Sequence, residues 1–480
     1  MRNLTLLTDF YELTMMQGYF KSGKAQERVI FDMFYRKNPC GNGFSICCGL
    51  ETVVEYVRNL NFNEEDIDYL RSLKIFDEDF IDYLRGFHFT GDVYAITEGT
   101  VVFPREPLVK VIAPVIEAQL IESALLNIIN HQSLIATKAS RVVHAADGDT
   151  VMEFGLRRAQ GPDAGIYGAR AAIIAGCIGT SNVFSGKKFG VPVMGTHAHS
   201  WIMSFPTELE AFITYGRLYP ESCILLVDTY DTLKSGVKNA IRCFDTLKAE
   251  GIKLKRYGIR MDSGDLAYLS KKAKKMLDEA GYTDAIISAS NDLDEDLISS
   301  LKLQGATINA WGVGTKLITS ENKPSFGGVY KLAAIMGEHG EWIPKIKLSE
   351  NSEKITNPGD KQIYRIVQKD SGKVFADYIC LAEEKFSVEE DLTLFDPVET
   401  WKKSTLEGGS YTMEPLLKPI FEGGKLVYSC PSVEEITKHA KEELGRLWDE
   451  CKRLKNPHNV HVDLSDKLYD MKIKLLNEYR

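Results

Sequence analysis

The sequence predicts an α/β protein in which a barrel-like domain of parallel strands is joined to a mixed α/β sandwich domain and followed by a C-terminal helical extension. Three observations carry this. Between residues 113 and 324 short β-rich runs alternate with helix-like stretches, half a dozen times in series. Each run stops abruptly in polar, glycine-containing residues, as parallel strands do where they hand over to a helix. The 480-residue length also exceeds what one hydrophobic core fills, so at least two packed units are expected.

Taken in order, the first hundred or so residues mix short apolar runs with glycine turns, as in Val29-Ile-Phe-Asp-Met-Phe34 and then Cys40-Gly-Asn-Gly43, which reads as mixed α/β. After Pro114, the residues Ile116, Leu120, Ile121, Ala124, Leu125, Ile128 and Ile129 recur at three- and four-residue steps. That is the period of a helix with one buried face, and it links the two units. The following β-rich runs end near Phe154, Gly195, Asp228, Arg260, Asn291 and Gly312, at the roughly 20- to 40-residue spacing of βαβ units. Behind the Arg260 run, Leu266, Leu269, Ala273, Met276 and Leu277 share one helical face before Gly281, which leaves Lys271-Lys272-Ala273-Lys274-Lys275 as a solvated face. Beyond Pro324 the turn Asn357-Pro358-Gly359-Asp360 leads into a strand over Gln362-Ile-Tyr-Arg-Ile366, and this region is expected to rejoin the N-terminal unit. In the tail, Ser432-x-x-Glu435 is a capping box opening a helix with Val433, Ile436, Ala440, Leu444 and Leu447 inward. The expected domains are 1–112 with 325–403, 113–324, and the extension 404–480.

Composition narrows the function. A chain 44% hydrophobic and 26% charged folds as a globule, and a net charge of −9 spread over mixed-sign segments disfavours tracking a nucleic-acid backbone. Asp9 and Glu12 come too early for an apolar leader and no stretch reaches membrane-spanning length, so a cytoplasmic protein without a membrane partner is expected. The nine cysteines form no Cys-x-x-Cys pair, and the adjacent Cys47 and Cys48 would point to opposite sides of a strand, so no zinc is predicted.

Parallel α/β sheets bind ligands at the carboxyl ends of their strands. The residues there are Glu153-Phe-Gly-Leu-Arg-Arg158, Gly195-Thr-His-Ala-His199, Asp228-Thr-Tyr-Asp231, Arg260-Met-Asp-Ser-Gly-Asp265, Ser290-Asn-Asp292 and Gly312-Val-Gly-Thr-Lys316. Arg157, Arg158 and Arg260 are forked donors suited to a carboxylate or phosphate, or to a structural ion pair. Asp262 and Asp265 suit either a turn or a Mg²⁺ bridged to phosphate. Gly312-Val-Gly-Thr315 is a late-strand glycine turn of the sort that cradles phosphate, or simply a tight turn. On an extended strand end His197 and His199 would point the same way, admitting a metal pair or a single reactive imidazole. Asp228 on the neighbouring strand end would hold a ring nitrogen of His199.

With Leu6-Leu-Thr-Asp-Phe-Tyr-Glu-Leu-Thr-Met15, Phe154-Gly-Leu-Arg-Arg-Ala-Gln-Gly-Pro-Asp163, Gly179-Thr-Ser-Asn-Val183, Gly195-Thr-His-Ala-His-Ser200, Gly258-Ile-Arg-Met-Asp-Ser-Gly-Asp265 and Gly312-Val-Gly-Thr315 in this order, the chain resembles the nicotinate phosphoribosyltransferase family along its whole length. The resemblance implies ATP-coupled transfer of phosphoribosyl from phosphoribosyl pyrophosphate to nicotinate in NAD biosynthesis, with Mg²⁺ near Asp262. It also implies a homodimer with shared active sites and a transient phosphohistidine at His199. It places Tyr11, from a second subunit, and Phe154 against the pyridine ring. Arg157, Thr196 and Arg260 meet the nicotinate carboxylate or sugar phosphates, Asp262 the ribose or Mg²⁺, and Gly312, Gly314 and Thr315 the 5′-phosphate. Nicotinamide-using relatives carry an acidic residue where this chain has Ser181, and an uncharged residue there favours the acid substrate. The alternatives are a nicotinamide- or quinolinate-using transferase, a metal-dependent barrel hydrolase holding its ion at His197 and His199, and a non-catalytic nucleotide sensor.

Overall fold

The computed structural model describes residues 3–350 and 354–479. The chain divides into two units, one of residues 1–134 and 325–480, the other of residues 135–324. The border at 134/135 falls inside the helix Glu122–Ala146.

In the first unit the core sheet has seven antiparallel strands in the order Trp342–Pro344, Gly328–Met336, Arg28–Tyr35, Val109–Pro114, Asp92–Ala95, Lys418–Glu422 and Lys425–Leu426. Arg28–Tyr35 lies centrally and is buried almost throughout, which its apolar run dictates; Phe31 stacks on Tyr330 across the register at 4.6 Å and 7°. A second sheet sets Tyr411–Pro415, Lys361–Gln368, Val374–Leu381 and His461–Leu464 side by side. The tail therefore supplies more than helices. Its strands at 411–415, 418–422 and 461–464 fill places in both sheets, and their short, alternating character did not mark them in the sequence. The capping box is present at Ser432 and Glu435 and opens the helix Val433–Arg446, whose inward face includes Glu443 as well as Val433, Ile436 and Ala440.

The second unit is built on five parallel strands in the order Thr150–Glu153, Ala310–Val313, Ile286–Ala289, Tyr257–Met261 and Cys223–Leu226. Single bridges continue the ladder from Glu153 to Thr180 and from Thr180 to Val193. Four residues beyond Val193, the His197 side chain accepts a hydrogen bond from the Leu226 backbone N–H on the opposite edge (3.3 Å), so a side-chain contact links the two edges in a barrel-like arrangement. The helix Leu266–Glu279 begins where Asp265 accepts from the Tyr268 N–H and packs Leu266, Ala267, Ser270, Ala273 and Leu277 inward, leaving Lys271, Lys272 and Lys275 exposed. No helix among the described residues is long and apolar enough to cross a membrane. The nine cysteines are thiols, none of them joined in a disulfide.

Candidate active site

The strand ends of the barrel divide into carboxylates that cap helices and carboxylates that do not. Asp231 accepts from the Leu233 and Lys234 N–H groups, Asp265 from Tyr268, and Asp294 from Leu297 while also pairing with Lys316 at 2.8 Å. Their hydrogen-bonding capacity is spent on local structure. Asp228 and Asp262 are different. Asp228 Oδ2 accepts from the Asp262 N–H (2.9 Å) and the Ser263 hydroxyl (2.6 Å), while its Oδ1 is buried with no partner among the described residues. Asp262 accepts from Ser290 at 2.5 Å. These two carboxylates sit on adjacent loops with acceptor capacity left over.

Asp228 does not hold His199, contrary to the expectation from sequence. Consecutive residues of an extended segment face opposite ways, so Asp228 turns toward the neighbouring strand end while Thr229 turns to the imidazole, with His199 Nδ1 and Thr229 Oγ1 3.1 Å apart. The two histidines also part company. Residues 195–198 form no regular strand and His199 begins the short helix His199–Met203, so the two-residue alternation does not apply. His197 is buried, its ring edge-on to Tyr215 at 4.7 Å, and its carbonyl accepts from Arg260 at 2.9 Å. Burial, and then the nearby Arg260 charge, push its pKa down to about 4, so it is a neutral structural group at physiological pH. His199 is half-buried and reaches the site surface.

A cavity of about 460 Å³ runs through the barrel interior from the strand starts at Ser222 and Arg256 to the strand ends at Phe154, Thr196 and Arg260. It gathers three of the predicted site residues, Phe154, Thr196 and Arg260. Arg260 is mostly buried, gives one guanidinium nitrogen to the His197 carbonyl, and keeps its Nε–H buried without a partner among the described residues. Desolvation lowers its pKa from the ordinary arginine value, against the pull of Asp262 and Asp228, neither of which closes an ion pair with it. A guanidinium left in this condition is a receptor for an incoming anion.

Phe154 explains the glycine turn. A Cβ at Gly312 would fall 2.7 Å from the Phe154 ring, and one at Gly314 would lie 3.1 Å from the Phe154 carbonyl oxygen. Gly312 makes room for the ring and Gly314 for the backbone of Phe154 on the neighbouring strand end. Thr315, half-buried, starts the four-residue helix Thr315–Ile318. Ser181 is half-buried, its N–H bonded to the Glu153 carbonyl at 3.0 Å on the same strand end. Arg157 is exposed in the helical turn Leu156–Arg158, close enough for its charge to be felt at Arg260. Gly312, Gly314, Thr315, Ser181, Arg157, His199, Asp228 and Asp262 thus ring the strand ends without lining the cavity. Tyr11 belongs to the other unit, on the helix Phe10–Lys21, and is 46% exposed. The neighbouring motif residues anchor that helix, since Ser123 donates to both Asp9 (2.9 Å) and Glu12 (2.7 Å).

Met152, Met194, Tyr215, Tyr219, Arg256 and Ser288 also line the cavity and were not singled out. Met152 and Ser288 lie two residues before Phe154 and Ser290, so counting back by the strand period finds them. Tyr215 arrives from the helix Glu208–Leu218, and no local signal points it inward.

Three family models match the chain: the nicotinate phosphoribosyltransferase N-terminal domain over residues 6–130, the nicotinate phosphoribosyltransferase family over 150–378, and the C-terminal domain over 360–472. The chain is 46% identical over 478 residues to nicotinate phosphoribosyltransferase of Bacillus subtilis, covering 100% of this chain and 96% of that protein. It is 32% identical to the human nicotinate phosphoribosyltransferase, covering 96% and 95%. The crystal structure of human nicotinic acid phosphoribosyltransferase superposes with a TM-score of 0.85 at 30% identity, covering 98% of this chain and 99% of that one. A nicotinate-nucleotide pyrophosphorylase from Pyrococcus furiosus shares the fold, with a TM-score of 0.69 at 24% identity.

Proposed function

The chain belongs to the nicotinate phosphoribosyltransferase family, and from that premise we propose how its residues divide the work of moving a phosphoribosyl group from phosphoribosyl pyrophosphate to the ring nitrogen of nicotinate, a step of NAD biosynthesis. The observation that carries the assignment is the buried, unpartnered Nε–H of Arg260 beside Phe154 in the barrel cavity. An aromatic acid fits this pair: the pyridine ring lies against Phe154, and its carboxylate takes the free edge of the guanidinium with help from Thr196. Ser181, bearing no charge, tolerates the acid where a carboxylate would repel it. Tyr11 closes over the ring from a second subunit. The exposed apolar face formed by Leu7, Phe10, Tyr11 and Met15 supports a homodimer with shared sites.

In the transfer step the bond from C1 of the ribose to pyrophosphate breaks as the bond to the nicotinate nitrogen forms, and positive character develops on the sugar. Asp228 and Asp262 lie where ribose hydroxyls or a Mg²⁺ would be held. The unpartnered Oδ1 of Asp228 fits that role, since Mg²⁺ takes one or two carboxylates plus phosphate oxygens. When bound there the ion would neutralise the leaving pyrophosphate. Arg157 and the Gly312 to Thr315 turn meet the phosphates in this reading. His199, steadied at Nδ1 by Thr229, presents Nε2 as the acceptor of the ATP phosphoryl group, coupling ATP hydrolysis to the transfer.

Incubation with labelled ATP, phosphoribosyl pyrophosphate and either nicotinate or nicotinamide tests this reading. Expected are nicotinate mononucleotide, acid-labile protein phosphate, and loss of both that phosphate and ATP stimulation in His199→Ala. Product from nicotinamide but not nicotinate overturns the role of Ser181, and ATP-stimulated turnover in His199→Ala overturns the phosphohistidine.

A further inference from the structure

The first unit contains a second pocket, of about 180 Å³, lined by Asp32, Arg105, Asn357, Lys361 and Lys472 among apolar side chains that include Phe34 and Ile473. None of its lining residues belongs to the barrel site. Its charges do not balance. Among the described residues Asp32 is the one carboxylate in the lining; its Oδ2 is taken by Lys361 at 2.7 Å, and its Oδ1 is buried without a hydrogen-bond partner. Lys361 spends its other donors on the Asn357 carbonyl (2.9 Å) and the Gly359 carbonyl (2.6 Å), so it is satisfied. The remaining cations are not. Among the described residues Lys472 donates only to Asn357 Oδ1, at 2.9 Å, and the Arg105 side chain makes no hydrogen bond or ion pair. Arg105 is also held in the left-handed backbone region, at φ 76°, where a side chain is retained at a cost.

Three cations, Arg105, Lys361 and Lys472, facing one small space with a single carboxylate are unfavourable unless an anion joins them. We infer that this cavity is a second binding site, separate from the barrel, for a small oxyanion of phosphate or carboxylate type carrying at most a short apolar body. Arg105 supplies a planar fork and Lys472 a point charge with two free N–H donors, the pairing that holds an oxyanion from two sides. The apolar wall by Phe34 and Ile473 limits the water that would otherwise screen them. In support, burial, followed by the repulsion of Arg105 and then Lys361, draws Lys472 down to about 8. A bound anion reverses that pull and keeps the amine charged.

The test is amine-reactive footprinting of the full chain, with modification at Lys472 read by peptide mass. Inorganic phosphate, pyrophosphate and isobutyrate are added separately, against chloride at matched ionic strength. An occupied site protects Lys472 about tenfold at ten times the dissociation constant, and whether the phosphates or isobutyrate protect decides the class. Thermal unfolding gives the second measurement. Lys472→Met is expected to be at least as stable as the parent in chloride and to lose part of the stabilisation by the protecting anion, the part it keeps being the barrel's. Protection by none of the three oxyanions, or an anion-induced rise in melting temperature identical in parent and Lys472→Met, overturns the inference. Should Lys472→Met fail to fold, the footprint on the parent protein decides alone.

Discussion

Two buried arginines of this protein live under opposite rules. Arg365, in the first unit, is fully buried and has a partner at each of its three nitrogens: it meets Asp377 through two nitrogens at 2.9 and 2.6 Å, bonds Glu443, and gives a further bond to the Val101 carbonyl at 2.7 Å. Burial and the adjacent Asp377 raise Glu106, beside this network, above the usual carboxylate range. Arg260, in the barrel, has two carboxylates in electrostatic reach yet closes a pair with neither, and its Nε–H is left alone. The strand-end neighbours Asp228 and His197 likewise carry buried atoms without partners among the described residues. The Arg365 guanidinium is finished within the chain; the Arg260 guanidinium is left unfinished by the chain, as a group that meets a substrate is. The basic cavity around Lys472 belongs by this measure with the second kind.

The strongest way to break the comparison is Arg365→Met. It strands Asp377 in the core and leaves Glu443 with Arg446 alone, at 2.8 Å, and is expected to cost about 3–5 kcal/mol of stability, measured by denaturant unfolding, with kcat/KM of the folded fraction unchanged. If the loss fell on kcat/KM instead, Arg365 would not be structural. Arg260→Ala is the converse, with stability nearly intact and kcat/KM for nicotinate reduced about 10²- to 10³-fold, the worth of a desolvated charge-assisted contact. Equal losses for nicotinate and nicotinamide would show that Arg260 does not read the carboxylate. A smaller effect is expected for Ser181→Asp, which should raise KM for nicotinate about tenfold, on the order of 1.4 kcal/mol of repulsion, with less change in kcat.

The smallest concerns His197. Its folded pKa, about 4, lies below the ordinary histidine value of 6.5. The unfolded chain therefore binds the extra proton first as pH falls. The stability this group contributes is present above about pH 6.5 and lost on acidification toward pH 4. His197→Gln, which can still accept from the Leu226 N–H, should show a shallower loss over that window; identical pH profiles would mean that the ring does not titrate in it.

Much of the molecule was legible before folding. The helix after Pro114, the helix capped by Asp265 and the capping box at Ser432 announce themselves because period, cap and turn chemistry act over a few residues. The strand ends at Phe154, Asp228, Arg260 and Gly312 were legible for the same reason, and six ordered motifs pointed to the family. Legibility ended where a partner comes from far along the chain. That Thr229 rather than Asp228 meets His199, that Gly312 and Gly314 make room for Phe154, that Tyr215 and Arg256 line the cavity, and that the tail completes both sheets of the first unit were decided only by tertiary structure. Local sequence sets which elements form and which residues end them. Which side chains are left with a partner, and which are left waiting for one, depends on strand order and barrel closure, and these bring together residues whose separation in sequence says nothing about their contact.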